Sequence, residues 1–190
     1  MNRQSAYSLV TEFVKNENLI KHMLAVEAAM RAYAVKLGED PDDWALPGLL
    51  HDFDWEIHPT LDEHPQKGAA ILRERGVPED IIRCIQSHAE HTGVPRETPM
   101  DRALFAVDEL TGLITACALV RPSKSLMDLT AKSVKGKWKD KGFAAGVNRA
   151  DIELGAQELG VDLTEHITTV IEAMRTIAPE LGLDGSLATQ

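Results

Sequence analysis

The chain has 190 residues, 44% hydrophobic and 26% charged, with a formal net charge of −10. This length suits one domain with a sizeable core, and no run reaches the roughly 18 apolar residues that a membrane span needs. The acidic balance argues against nucleic-acid binding, which depends on a basic surface that displaces counterions.

The N-terminus runs through Asn2, Arg3 and Gln4 into a mixed stretch without the apolar core and cleavage site of a secretory signal, so a cytoplasmic protein is expected. Apolar spacing is helical nearly everywhere, which predicts an all-α fold. Leu19, Met23, Val26, Met30, Tyr33 and Leu37 make one stripe over residues 17–37, closed by Gly38. Asp40 and Pro41 then cap and open a second helix, which Pro47 should kink or restart and which ends near His51 and Asp52. Residues 54–63 read as a loop. His64 and Pro65 start a helix ended by Gly76, and Pro78 opens another on which Ile81, Ile85 and His88 share a face.

Residues 99–120 are apolar almost all round, the pattern of a central buried helix. Ser125 with Asp128, and Asn148 with Asp151, read as capping pairs that open short helices, and Asp162 with Glu165 opens the last helix. One domain over residues 1–181 is expected, with a frayed tail over 182–190. Cys84 and Cys117 fall inside apolar helical patterns and are expected as buried free thiols. A local basic segment carries Arg121, Lys124, Lys132, Lys135, Lys137, Lys139 and Lys141 against Asp128 and Asp140.

Asp108 is the most informative residue. It sits mid-helix in the most apolar segment, too far from Pro99 to cap it, and an ionised carboxylate there needs a counter-charge: an Arg or Lys from another helix, or a metal. His51 and Asp52 together offer a nitrogen and an anionic oxygen at a helix end. Five of the seven histidines fall between His51 and His91, and His22 borders an apolar stripe; several such histidines beside two carboxylates suggest a shared ligand cluster. Glu109 is expected to point elsewhere, and Asp54 to fix a histidine from behind. His58 and His166 are expected on the surface.

A lone His22, then His51-Asp52 within Gly-Leu-Leu-His-Asp-Phe-Asp at residues 48–54, then Asp108 within Val-Asp-Glu-Leu-Thr-Gly at 107–112, resembles the HD superfamily of metal-dependent phosphohydrolases, over about Leu19 to Thr111. The resemblance implies an HD-type helical bundle with a central metal-bearing helix. It implies His22, His51, Asp52 and Asp108 as ligands of one divalent ion, with Fe, Mn, Zn, Mg, Ni and Co not distinguished. In the two-metal subset the HD aspartate bridges, and His64 and His88 fall where that subset binds its second ion. The stretches His64-Pro65 to Leu72 and Ser87-His88-Ala89-Glu90 are similar to the HD-GYP branch, but Ala89 replaces its second histidine and Gly93-Val94-Pro95 its signature, so cyclic-dinucleotide cleavage is not implied; His91 is left open as a replacement ligand.

The implied activity is hydrolysis of a phosphomonoester or nucleotide by a hydroxide on the metal. Asp52, His64 and His88 would be catalytic, and Arg121 and Lys124 would contact the phosphate. A di-iron oxygenase and a non-catalytic module with a structural metal use the same ligands. No heptad seam or exposed apolar run defines an oligomeric state.

Overall fold

The computed structural model describes residues 1–189 and is built of helices: α1 (Arg3–Phe13), α2 (Glu17–Leu37), α3 (Pro41–Leu50), α4 (Gln66–Glu74), α5 (Glu79–Ser87), α6 (Pro99–Leu119), α7 (Ala131–Gly136), α8 (Arg149–Leu159), α9 (Leu163–Arg175) and α10 (Ala178–Leu181). Among the described residues there is no strand; the only β-type pairing is an isolated bridge between Ser125 and Asp184. Among the described residues no helix is long and apolar enough to cross a membrane.

Local chemistry explains the boundaries. Asn16 accepts from the Asn18 and Leu19 amides to start α2, and Gly38, at φ 76°, ends it in a left-handed conformation that costs glycine nothing. Asp40 caps α3 with Pro41 in its first turn, and Pro47 is accommodated inside the helix. Thr98 and Asp101 form a capping box on α6, and Arg83 also binds Asp101, which is 1% exposed. Cys84 and Cys117 are buried free thiols.

The central helices bring the site together. Two apolar clusters, one around α2, α6 and α9 and the other around α1, α3, α4 and α5, meet at Leu24 and Met100. Gly48 lets α3 press against α2, since a Cβ there would lie 2.9 Å from the Glu27 Cα. Gly155 does the same for α8 against α6, where a Cβ would lie 2.5 Å from the Ala106 Cα. Glu27, 3% exposed, is held by Arg3 and Arg31, which ties α1 to α2.

Three expectations are corrected here. Residues 125–128 form no helix, because Ser125 accepts from the Met127 amide while Asp128 accepts from Arg121 and Ser123; the short helix starts at Ala131 under a Thr130 cap. The tail is not frayed throughout. Leu183 is 2% exposed, its carbonyl accepts from the Leu126 amide, and residues 186–189 form a 3-10 turn, while Gln190 lies outside the described residues. His166 is fully buried rather than at the surface: its Nε2 donates to the Ala106 carbonyl, leaving Nδ1 to accept from the Tyr33 hydroxyl. It joins α9 to the two helices that carry His22 and Asp108.

Burial lowers the His166 pKa to about 4. The unfolded chain therefore binds a proton near pH 6.5 that the folded chain refuses until about pH 4, so stability is complete above pH 6.5 and declines as pH falls through that window. In chelator-treated protein, stability to denaturant should fall between pH 7 and pH 4 by about 3 kcal/mol more than in His166→Gln, which cannot titrate. Equal losses in the two proteins would remove this role.

Candidate metal centre

Four helices and one loop deliver the ligating side chains. His22 comes from the first turns of α2, His51 and Asp52 from the end of α3, His64 from the loop before α4, His88 from the end of α5 and Asp108 from the middle of α6. They meet around the Asp52 carboxylate. Its Oδ2 lies 3.5 Å from His51 Nε2 and 3.7 Å from His22 Nε2; its Oδ1 lies 3.3 Å from His64 Nε2 and 3.8 Å from His88 Nε2. Asp108 Oδ1 closes the first group, 3.0 Å from His22 Nε2 and 3.4 Å from His51 Nε2. The donors thus form two sets, His22, His51 and Asp108 on one side and His64 and His88 with Asp52 on the other, each compact enough to hold a cation.

The backs of the rings decide what the fronts can do. His51 Nδ1 faces the Gly48 carbonyl at 2.9 Å and His88 Nδ1 the Ile85 carbonyl at 2.5 Å. A carbonyl only accepts, so both Nδ1 atoms carry the hydrogen and both neutral rings turn a bare Nε2 lone pair inward. His64 Nδ1 donates to Asp54 Oδ1 at 2.7 Å, and Asp54, fully buried, also accepts from the Gly68 amide. The Thr111 hydroxyl donates to the Asp108 carbonyl, which leaves its oxygen to accept from His22 Nδ1 at 3.3 Å.

The inward lone pairs crowd one another: His22 Nε2 and His51 Nε2 are 3.2 Å apart. Two lone pairs beside two carboxylates repel unless a cation sits among them. Protons show the same demand. Burial lowers the His51 pKa, yet Asp52 and Asp108 outweigh it and raise it to about 9. His64 behaves alike, burial opposing and Asp52 and Asp54 raising it to about 9. Against the cost of burial, His51 holds both Asp52 and Asp108 below the usual carboxylate range. His88, facing less negative charge, is lowered by burial. The donor set, two carboxylates and four imidazoles, is one that divalent transition metals accept.

Asp54 acts from behind, through His64. Asp54→Asn removes the charge that orients this ring and is expected to weaken metal binding by roughly 10- to 100-fold, read by competition with a chelator. Unchanged affinity would mean that other contacts hold His64.

A cavity of 380 Å³ opens on Asp52, His64, His88 and Asp108, with Trp55, Leu61 and Phe105 as its apolar wall and Glu90, His91, Glu109, Asn148 and Asp151 as its polar one. Glu109 faces this space rather than pointing away; it accepts from the Asn148 amide, and burial and then Asp108 raise its pKa to about 7. Burial, then Glu90, raises Asp151 too. His91 Nε2 donates to the His64 carbonyl at 2.8 Å, so it braces the site and belongs to neither donor set. His58 lies outside, 3.9 Å from Glu63.

The expected phosphate contacts, Arg121 and Lys124, do not reach this cavity. Both follow the end of α6, and Leu119 is already roughly 17 Å along the helix from Asp108 at 1.5 Å per residue. Arg121 is bound by Asp128.

The chain is similar to known proteins. Ribonuclease Y of Lawsonia intracellularis is 30% identical over 97 residues, 50% of this chain and 18% of the relative. Ribonuclease Y of Thermotoga petrophila is 29% identical over 137 residues, 70% of this chain and 27% of the relative, and that of Thermotoga maritima matches to the same extent. The chain therefore spans only about a fifth to a quarter of the length of these relatives. No solved structure gives a significant match. The model of the HD domain family matches residues 19–113, a stretch that contains every side chain of both donor sets, and the chain belongs to that family.

Proposed function

We propose that the chain is a metal-dependent phosphohydrolase acting on a small phosphomonoester or nucleotide. The observation that carries this reading is the single carboxylate of Asp52 shared between two donor sets at the floor of an open cavity. His22, His51 and Asp108 with one Asp52 oxygen would hold one divalent ion, and His64 and His88 with the other oxygen a second. Bound there, such ions neutralise phosphoryl oxygens and make water a nucleophile near neutral pH.

The protein's own part is orientation. The carbonyls of Gly48 and Ile85 and the carboxylate of Asp54 fix three rings so that their Nε2 atoms face the cavity floor. With a single ion at His22, His51 and Asp108, His64 and His88 are free to orient the phosphate and carry a proton to the leaving oxygen. Trp55, Leu61 and Phe105 give one side of the cavity an apolar lining. We read the chain as one folding unit, because Leu24 and Met100 join its two apolar clusters.

The relatives' name, ribonuclease, speaks for cleavage at phosphorus, while the cavity wall speaks against a polynucleotide. No Lys or Arg lines it, and backbone phosphates are gripped by such residues. The test is phosphate release from a panel of phosphomonoesters, nucleotides and RNA by manganese-, zinc- or iron-loaded protein without oxygen. Release from small esters supports the reading; turnover only with dioxygen, or none with any metal, overturns it.

A further inference from the structure

The polar wall of the cavity carries charge of the wrong sign for a polyphosphate. Glu90, Glu109 and Asp151 line it, and no Lys or Arg does. Their partners are weak in charge. Glu109 accepts from the Asn148 backbone amide and Asp151 from the Asn148 side-chain amide at 2.7 Å, both neutral donors. Glu90 has Arg96 at 3.3 Å, but Arg96 makes shorter contacts of 2.7 Å to Glu158 and lies over the Phe105 ring at 3.7 Å. One guanidinium thus serves two carboxylates, Glu90 in the wall and Glu158 beyond it, and the wall keeps a net negative charge.

Size restricts the occupant further. At 380 Å³ the cavity sits near the low end for ligand sites. That is room for a phosphate and a short organic chain. The apolar residues Trp55 and Leu61 lie at the rim, 37% and 60% exposed, where a short methylene chain or an ammonium beside an indole gains contact.

We infer, resting on the phosphohydrolase reading, that the cavity selects small phosphoesters bearing an ammonium group, with the phosphate on the Asp52 cluster and the ammonium among Glu90, Glu109 and Asp151. A second phosphate or a carboxylate at the far end would meet like charges in a partly desolvated space, which raises the cost of each. Asp151 and Glu90 are the specificity determinants, because both line the cavity and neither belongs to a donor set.

The experiment is calorimetric binding of three phosphonates with three-carbon chains to metal-loaded protein: 3-aminopropylphosphonate, propylphosphonate and 3-phosphonopropionate. The ammonium compound should bind about tenfold tighter than the neutral one and the carboxylate weakest, an ordering set by partly screened charge contacts. In Asp151→Asn/Glu90→Gln the advantage over propylphosphonate should largely disappear, while the affinity for propylphosphonate itself stays within about twofold. Equal binding of all three by the parent protein, no binding of any, or an advantage that survives in the double variant would each overturn the inference.

Phosphate release from p-nitrophenyl phosphate, measured in parallel, separates the two claims. Release without charge-ordered binding removes the selectivity and leaves the hydrolase. Charge-ordered binding without release from any ester removes the hydrolase and leaves the ammonium site.

Discussion

Asp52→Asn should reduce phosphate release by about 10³-fold or more, since the charge neutralisation that bound metals supply is worth several kcal/mol and each 1.36 kcal/mol is tenfold in rate. The reason is geometric. Asp52 Oδ1 and Oδ2 face different pairs of histidines, so one substitution removes an anionic donor from both sets. The folded protein should survive it, because the Asp52 side chain is 18% exposed at the cavity floor and packs in neither apolar cluster. Steady-state kinetics and metal content, measured on the same preparation, check both halves. Activity within tenfold of the parent would mean that the carboxylate is not shared in the working enzyme.

Metal removal is expected to have the largest effect on stability. Ligands from α2, α3, α5 and α6 and from the loop before α4 converge on one place, so an ion bound there is bound by the folded chain and hardly at all by the unfolded one. At a free metal concentration 1,000 times the dissociation constant, the linkage is worth about 4 kcal/mol. For a chain of this size that corresponds to a melting temperature higher by about 10 °C. Chelator should therefore lower the melting temperature of the parent protein by about that amount, and readdition of manganese or zinc should restore it. In His51→Ala the same treatment should lower the melting temperature by less, because one of the two donor sets has lost a ligand while Asp52, His64 and His88 remain. A parent protein indifferent to chelator would contradict the assignment.

The parts of the fold that were legible from residues are those governed by local chemistry. Gly38, Asp40 with Pro41, and Asp162 each act on the helix they adjoin, and the structure puts the helix ends where those residues predict. α1 carries the same kind of signal in Asn2, which caps it, but its stretch is too polar for an apolar stripe to stand out; only Ala6, Leu9 and Val10 are buried. Ser125 and Asp128 mislead because the pattern of a cap is the same whether the side chains bind their own amides or, as here for Asp128, Arg121 and Ser123.

The site divides in the same way. His22, His51, Asp52, His64, His88 and Asp108 carry chemistry in their type, and the structure brings all six to one place. Asp108 was singled out as a buried charge in need of a partner. It is instead 22% exposed on its side chain and lines the cavity, with His22 and His51 beside it, so the inference about its partners rested on a burial only partly realised. Thr111 lies three residues after Asp108 on the same face of α6, a spacing that could have marked it as the support for His22.

The polar wall could not be read from the chain. Asn148 and Asp151 reach the cavity because Gly155 lets α8 lie against α6, and a contact between residues 49 positions apart leaves no periodic trace. His166 was misjudged for a related reason: its two partners, Tyr33 and the Ala106 carbonyl, stand far away in sequence on α2 and α6.

Sharing of the Asp52 carboxylate between two ion sites can be seen directly. The most direct test is anomalous scattering from crystals grown with manganese or zinc, collected on either side of the metal edge. One peak is expected among His22, His51, Asp108 and Asp52, and a second among Asp52, His64 and His88. Anomalous density elsewhere in the molecule with none at these six side chains, from any divalent transition metal supplied, would contradict it.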